Sequence, residues 1–200
     1  MNGKLHHYTA DTSDRTRVHI ILFIVSVATA WAFAALCNYF DIKPYWWLDT
    51  PSVFGFYGIF FALFNNYLWR VTFFRKLFFI ETPNLNGIYE GEISSSYDAF
   101  QTQKKVTYEI LQKWNKILVF SETETSTSKS LTAAFSLSGV NKKSLVFNYQ
   151  NTPKVDATDT MNTHCGFADF YFDTTEAITG EFFNGRGRKT YGKITLKRRG

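Results

Sequence analysis

A glycine-flanked basic loop near the carboxyl end carries the strongest chemical signal in this sequence. Residues 185–192 read GRGRKTYG, and the loop contains Arg186, Arg188, Thr190 and Tyr191. Arginine side chains match phosphate oxygens in a bidentate arrangement, and glycines allow backbone N–H groups to approach an anion closely. The loop therefore predicts a phosphate-binding site, with a solvated or lipid-facing basic strand as the alternative.

A second polar segment, residues 121–130, reads SETETSTSKS and contains seven serine and threonine hydroxyls. Hydroxyl groups both donate and accept hydrogen bonds, so Ser126 and Ser128 could line a polar pocket and contact phosphates or base edges. The alternative is that these hydroxyls simply solvate a hairpin loop.

Aromatic residues near the ends of predicted strands offer another way to hold a nucleotide. Trp114, Tyr149 and Tyr191 could stack on bases, a contact worth about 1–3 kcal/mol per base, although buried aromatic residues more often belong to a core. We expect His164 to form hydrogen bonds at the rim of a pocket.

Sequence patterns for catalysis and for metal binding are missing. No HExxH, GxSxG or phosphate-loop sequence occurs, and His164 is the only histidine beyond residue 84. The aspartates between residues 156 and 173 lack EF-hand spacing, and Cys37 and Cys165 lie too far apart in the chain for a CxxC metal site. We expect a protein that is not an enzyme and that uses neither a metal nor a cofactor.

The binding residues require a β-sheet framework. Beyond residue 84 the sequence alternates in character and is rich in Thr, Ile, Val, Phe and Tyr, which predicts a small eight-stranded antiparallel β-barrel, with a sandwich as the alternative. A barrel of this size can hold one small ligand. The predicted strands are 86–96, 105–113, 116–124, 131–138, 144–150, 166–172, 177–183 and 189–198.

Alternation within these strands predicts which side chains share a face. Tyr89 and Ile93 fall on one side of the first strand, and Glu90 and Glu92 on the other, solvent-facing side. A shift of one residue in register would invert such assignments, so the lining of the barrel interior stays open.

The amino-terminal part has the character of a membrane hairpin. Residues 18–40 contain no Asp, Glu, Lys or Arg, and residues 51–70 are charge-free up to Trp69, so both are predicted to span a membrane, with a juxtamembrane extension up to residue 83. Basic residues flank the pair of spans, which places both termini in the cytoplasm and makes a signal peptide the lesser alternative. We expect three parts: a cytoplasmic tail (1–17), the hairpin (18–83) and a cytoplasmic barrel (84–200).

Small residues recur at four-residue spacing on both predicted spans. This spacing allows helices to approach closely, either within the hairpin or between copies of the chain, and a buried asparagine can add a hydrogen bond between helices. The candidate helix-packing residues are Ser26, Ala30, Ala34, Gly58, Ala62 and Asn66.

The formal net charge is +5, which is too small and too evenly spread for a DNA- or RNA-polymer-binding protein. Five segments, in order, resemble a known family: LNGIYEG (85–91), SETETSTSKS (121–130), YQNTP (149–153), HCGFA (164–168) and GRGRKTYG (185–192). They are similar to the two-helix membrane effectors with a minimal cyclic-nucleotide-sensing β-barrel from bacterial cyclic-oligonucleotide-based anti-phage signalling, known as CBASS. The resemblance covers the whole chain, including the hairpin.

The resemblance implies an effector in the bacterial inner membrane. Its barrel would bind a cyclic dinucleotide made by a cognate nucleotidyltransferase, and the chain would then form homo-oligomers that disrupt membrane lipid and abort the infection. A membrane-anchored barrel that carries a lipid or another apolar ligand is the alternative. The candidate ligand-binding residues are Tyr89, Trp114, Ser126, Ser128, Tyr149, His164, Arg186, Arg188, Thr190 and Tyr191.

Overall fold

The chain divides into a barrel unit and a helical unit. The barrel unit comprises residues 4–11 and 82–200, and the helical unit comprises residues 12–81. The structure is a computed structural model, and it describes residues 4–41, 52–138, 142–157, 162–185 and 189–200.

Nine strands close the barrel, in the order β1-β4-β3-β2-β9-β8-β7-β6-β5, with a further pairing between β4 and β5. Neighbouring strands are antiparallel except for β1 and β5, which run parallel. The strands are β1 (His6–Ala10), β2 (Gly87–Ser95), β3 (Lys104–Gln112), β4 (Lys116–Thr123), β5 (Ser126–Ser136), β6 (Lys143–Pro153), β7 (His164–Phe172), β8 (Ala177–Asn184) and β9 (Tyr191–Arg198).

The expected count of eight strands was wrong, because β1 comes from the segment that the sequence analysis assigned to an amino-terminal tail. β4 and β5 pair with each other only from Phe120 to Glu122, and β1 fills the gap where they diverge. There His6 lies opposite Ile117 on β4, and Tyr8 lies opposite Ala133 on β5. The partners of β1 are more than 100 residues away in the chain, so no local pattern reveals this strand.

The facing predicted for the first strand, which is β2 in the structure, is confirmed. Tyr89 is fully buried and Ile93 half-buried, whereas Glu90 and Glu92 are exposed. β5 begins at Ser126 rather than at the predicted residue 131, so most of the serine- and threonine-rich segment forms paired strands instead of a long loop. This change brings several hydroxyls into the barrel wall.

An aromatic core closes one end of the barrel. Tyr8 and Trp114 are both at least 98% buried, and the Tyr8 hydroxyl donates to the Trp114 carbonyl at 2.7 Å. Tyr89 donates from its hydroxyl to the Thr175 carbonyl at 3.0 Å at the same end. Among the described residues, these aromatic side chains fill this end of the barrel, and a cavity opens at the other end.

The helical unit contains α1 (Asp14–Tyr39), α2 (Ser52–Asn66) and α3 (Thr72–Leu77). α1 and α2 pack side by side: His19 Nδ1 lies 2.6 Å from the Tyr57 hydroxyl, and Phe33 packs edge-on against Phe56. Among the described residues, α1 is the one helix long and apolar enough to cross a membrane.

The second helix is shorter than the predicted span. α2 has 15 residues, about 22 Å at 1.5 Å per residue, whereas a bilayer core is about 30 Å thick. It ends at Asn66, and a 3₁₀ turn at Leu68–Arg70 follows. The predicted start at residue 51 lies outside the described residues.

The six small or polar residues expected to pack helices lie in different environments. Ser26 is fully buried and Ala30 half-buried, on the α1 side that faces α2. The Asn66 amide donates to the Ala62 carbonyl of its own helix at 2.7 Å rather than across helices. The remaining three, Ala34, Gly58 and Ala62, are exposed.

Candidate ligand-binding cavity

A cavity of about 190 Å³ opens at the end of the barrel opposite the aromatic core. Consecutive strands from β2 onwards are antiparallel, so their opposite ends alternate around the mouth of the cavity. The mouth is surrounded by the carboxyl ends of β2, β4, β6 and β8 and by the amino ends of β3, β5 and β7. All but five of the lining residues carry a polar side-chain atom; the five are Ile93, Val106, Val119, Phe147 and Phe182. The cavity therefore offers hydroxyl and amide groups beside a larger apolar surface, which suits a ligand that combines rings with polar groups.

One wall of the cavity is an asparagine held by two serines. Ser128 on β5 lies opposite Asn151 on β6. The Asn151 Nδ2 donates to Ser126 Oγ at 3.0 Å and to Ser128 Oγ at 2.9 Å, which fixes the orientation of the amide. Its Oδ1 is buried and has no hydrogen-bond partner among the described residues. A buried acceptor without a partner is costly, and the residue that carries it is one of those that line the cavity.

A second wall is a chain of hydrogen bonds from β6 to the start of β9. The Tyr149 hydroxyl donates to Asn184 Oδ1 at 2.8 Å, and Asn184 Nδ2 donates to Thr190 Oγ1 at 2.8 Å. The tyrosine ring reaches Asn184 by crossing Gly166, where a Cβ atom would collide with the ring and its hydroxyl. The glycine in the HCGFA segment therefore makes room for this arrangement.

Tyr108 and Ser121 form the floor of the cavity, opposite each other on β3 and β4. Burial raises the pKa of Tyr108 to about 12, and a hydrogen bond with Ser121 lowers it by a smaller amount. Tyr108 also packs edge-on against Phe170, at 5.1 Å between ring centroids. The floor thus combines a neutral phenol with aromatic surface.

Charged side chains are confined to the rim of the cavity. Lys104 and Asp98 line it, and hydrogen bonds from Thr102 lower the pKa of the Asp98 carboxyl. His164 also lines the rim, with its Nδ1 2.8 Å from the Asn162 carbonyl. The described residues contain no group of His, Cys, Asp or Glu that could hold a metal ion.

The structure brings five of the ten predicted ligand-binding residues to the cavity and places three others elsewhere. Tyr89 and Trp114 lie in the core at the closed end, and Tyr191 points outward, 58% exposed, where its ring meets Phe100. Arg186 and Arg188 lie outside the described residues. The predicted residues that line the cavity are Ser126, Ser128, Tyr149, His164 and Thr190.

Sequence reasoning missed Asn151 and Asn184, which connect the walls of the cavity. Each lies two residues beyond another lining residue on the same strand, Asn151 after Tyr149 and Asn184 after Phe182. The two-residue period of a strand therefore carried the signal, but it requires the inward face to be known first. Tyr108 and Lys104 were missed for the same reason.

A closed barrel with a polar, hydrogen-bonding cavity at one end defines a small-ligand receptor domain. The family described as "Cap15, cyclic dinucleotide receptor domain" matches residues 80–198, and the chain belongs to this family. The match spans β2 to β9 and leaves out β1.

Among its relatives is CD-NTase-associated protein 15 from Yersinia aleksiciae. The two are 32% identical over 145 residues, which cover 72% of this chain and 68% of the relative. The resemblance to the CBASS effectors is confirmed by both findings. The family description is that of a receptor and not of an enzyme.

Proposed function

We propose that this chain is a membrane effector of CBASS immunity whose barrel binds a cyclic dinucleotide at the open end. The observation that carries the proposal is the preorganised polar lining, in which Asn151 is held by two serines and Asn184 by Tyr149 and Thr190. The family description and the name of the Yersinia relative support the ligand class.

The size of the cavity indicates how such a ligand would sit. Pockets for drug-sized ligands usually measure about 300–1,000 Å³, and this one measures about 190 Å³. We infer that one base and part of the ring enter the cavity and that the remaining phosphate lies at the mouth. Lys104 is available at the rim, and Arg186 and Arg188 follow Asn184 in the chain.

The alternative of an apolar ligand is less well supported. A lipid-carrying barrel has an almost wholly apolar interior, whereas serine, threonine and asparagine side chains are among the residues that line this cavity. Burying these groups against hydrocarbon would leave them without hydrogen-bond partners. The aromatic core also fills the depth that a lipid tail would need.

The proposal extends to the output of the protein. We propose that α1 and α2 lie in the bacterial inner membrane with both termini in the cytoplasm, and that ligand binding promotes homo-oligomers that disrupt the membrane. Gly58 and Ala62 form an exposed small-residue face on α2 that suits close contact with another copy. Ligand can drive this step only if it binds the assembled state more tightly than the monomer.

The test is calorimetric titration of the full chain in neutral detergent micelles with a panel of cyclic dinucleotides. We expect one member to bind, and Arg186→Ala and Arg188→Ala to weaken binding more than Lys113→Ala, a basic residue in the turn at the closed end. Binding of a fatty acid but of no cyclic dinucleotide would instead support the apolar-ligand barrel.

Self-association is tested separately in vesicles that contain a trapped dye. The bound ligand should raise the oligomer size and release the dye. Gly58→Leu should reduce both effects while the barrel still binds the ligand, with the weaker apparent affinity that follows from loss of the tighter-binding assembled state. Release that does not depend on ligand, or an unchanged oligomer size, would contradict the proposed output.

A further inference from the structure

The helical unit contains an open cleft of about 710 Å³ lined by three basic side chains. Arg17 comes from the second turn of α1, and Arg75 and Lys76 come from the last turn of α3. Glu81 is the only acidic residue that lines the cleft, so its formal charge is +2. This cluster belongs to no part of the barrel site.

The three cations of the cleft differ in their surroundings. Arg17 donates from Nη2 to Glu81 Oε1 at 2.6 Å, and its Nε is buried with no hydrogen-bond partner among the described residues. Arg75 contacts the Trp69 carbonyl through Nη1 at 3.4 Å. Lys76 is exposed and makes no ion pair within the described residues. Lys76 therefore offers an exposed amine to an anion in the cleft.

Large apolar side chains stand beside these cations. Phe79, a lining residue, is 68% exposed, and Phe73 and Leu77 on α3 are 66% and 52% exposed. Exposed aromatic and aliphatic groups next to basic residues are typical of segments that lie at a membrane interface. A soluble protein surface rarely leaves such groups uncovered.

The carboxylate of Asp14 positions the segments that form the cleft, although Asp14 is not one of the residues that line it. Asp14 is fully buried at the start of α1, accepts a hydrogen bond from Thr12 Oγ1, and accepts another from the Glu81 backbone N–H at 3.2 Å. These bonds hold the Glu81 segment against α1, so that Arg17 and the end of α3 face one cleft. The hydrogen bonds of Asp14 therefore help to position the basic side chains at the cleft.

We propose that this cleft binds the phosphate group of an anionic phospholipid, with the apolar side chains of α3 in contact with the lipid interface. Arginine forks and a lysine amine provide the donors that a phosphate diester accepts. Basic clusters next to membrane helices on the cytoplasmic side attract anionic lipid headgroups. The inference rests on the proposed membrane placement of α1 and α2, but not on ligand binding by the barrel.

The test is native mass spectrometry of the full chain in neutral detergent micelles with added phosphatidylglycerol or phosphatidylcholine. The unmodified chain should retain phosphatidylglycerol in preference to phosphatidylcholine. Arg75→Gln with Lys76→Gln should weaken phosphatidylglycerol binding about 10- to 30-fold, because each basic residue contributes to attraction of an anionic lipid. Lys4→Gln with Arg70→Gln removes two charges outside the cleft and should weaken binding by a smaller factor.

A second arm uses inorganic phosphate as the competing probe. Loss of bound phosphatidylglycerol at millimolar phosphate, with the same sensitivity to Lys76→Gln, would support the phosphate site but assign it to a soluble anion. Equal retention of phosphatidylglycerol by the cleft and control variants would overturn the proposal. Cyclic dinucleotide titration of the same variants keeps the two proposals separate, because the cleft variants should bind that ligand normally.

Discussion

The hydroxyl of Tyr149 donates to Oδ1 of Asn184 at 2.8 Å, across a stretch of β7 where Gly166 has no side chain. These two residues come from β6 and β8, which are not neighbours in the barrel. Their bond therefore links strands across β7 and, through Thr190, fixes the start of β9. The same residues line the cavity, so a ligand bound there as we propose would contact the network that links these strands.

Gly166→Ala should displace Tyr149 and weaken ligand binding. The added Cβ would overlap the tyrosine ring and lie 2.8 Å from Asn184 Oδ1, and overpacking of this kind costs about 1–3 kcal/mol. We expect about a tenfold or greater loss of cyclic dinucleotide affinity by calorimetry. The matched control is Gly185→Ala, where the nearest atom within 4 Å is the Cys165 carbonyl oxygen at 4.0 Å. Unchanged affinity in Gly166→Ala would show that Tyr149 does not position the ligand.

Asn151→Leu tests whether the buried amide of Asn151 recognises the ligand through a hydrogen bond. Leucine keeps the approximate shape but removes the acceptor, and a lost hydrogen bond in a buried site costs about 1–3 kcal/mol, or roughly 5- to 150-fold in affinity. Asn148→Leu is the control on the same strand, because Asn148 points outward and contacts Thr132. If both variants bind the ligand equally well in calorimetry, Asn151 has no recognition role.

Tyr8→Ala should destabilise the barrel, although Tyr8 precedes the first helix in the chain. Its side chain is 98% buried, packs edge-on against Phe135 and donates to Trp114, so truncation should cost about 3–5 kcal/mol. The exposed neighbour is the control, and His7→Ala should stay within about 0.5 kcal/mol. Urea unfolding of the full chain in micelles measures both values. An unaltered midpoint for Tyr8→Ala would mean that β1 is dispensable.

Tyr108 should make the barrel less stable in alkali. Its pKa is raised from 10.0 to about 12 by burial, so between these values the folded state holds a proton that the unfolded state has released. The contribution of Tyr108 to the free energy of unfolding is therefore fully present below pH 10. It falls by up to about 3 kcal/mol as the pH rises towards 12. Tyr108→Phe should reduce this fall without abolishing it, since burial also raises the pKa of Tyr89. Identical urea midpoints against pH for both proteins would contradict this assignment.

The sequence reveals the strands that local alternation of side chains defines, and it does not reveal features that depend on pairing between distant segments. Alternation identified all eight strands beyond residue 84, because inward and outward side chains differ along each strand. It did not identify β1, which is five residues long and whose place is set by pairing with β4 and β5. It also set the start of β5 too late, because serine and threonine resemble loop residues until their partners on β4 and β6 are known.

The sequence indicated the polar character of the candidate site, but it did not identify all of the residues that line it. The hydroxyl-rich segment and Tyr149 point to a polar pocket, and both are at the cavity. Tyr89 and Trp114 are aromatic and could equally well stack on a base or fill a core. Only the tertiary fold reveals that they fill the closed end of the barrel. Asn151 and Asn184 have ordinary surface composition, and their importance arises from hydrogen bonds across strands.

The most direct test of the account is the unfolding free energy of the full chain in micelles with and without each cyclic dinucleotide. A ligand at 100 times its dissociation constant should add about 2.7 kcal/mol. At the same ligand concentration this gain should fall to about 0.3–1.8 kcal/mol in Asn151→Leu and be kept in Asn148→Leu. Such a result would place the ligand in the cavity. No gain with any cyclic dinucleotide, in a chain that still unfolds cooperatively, would contradict the receptor function proposed here.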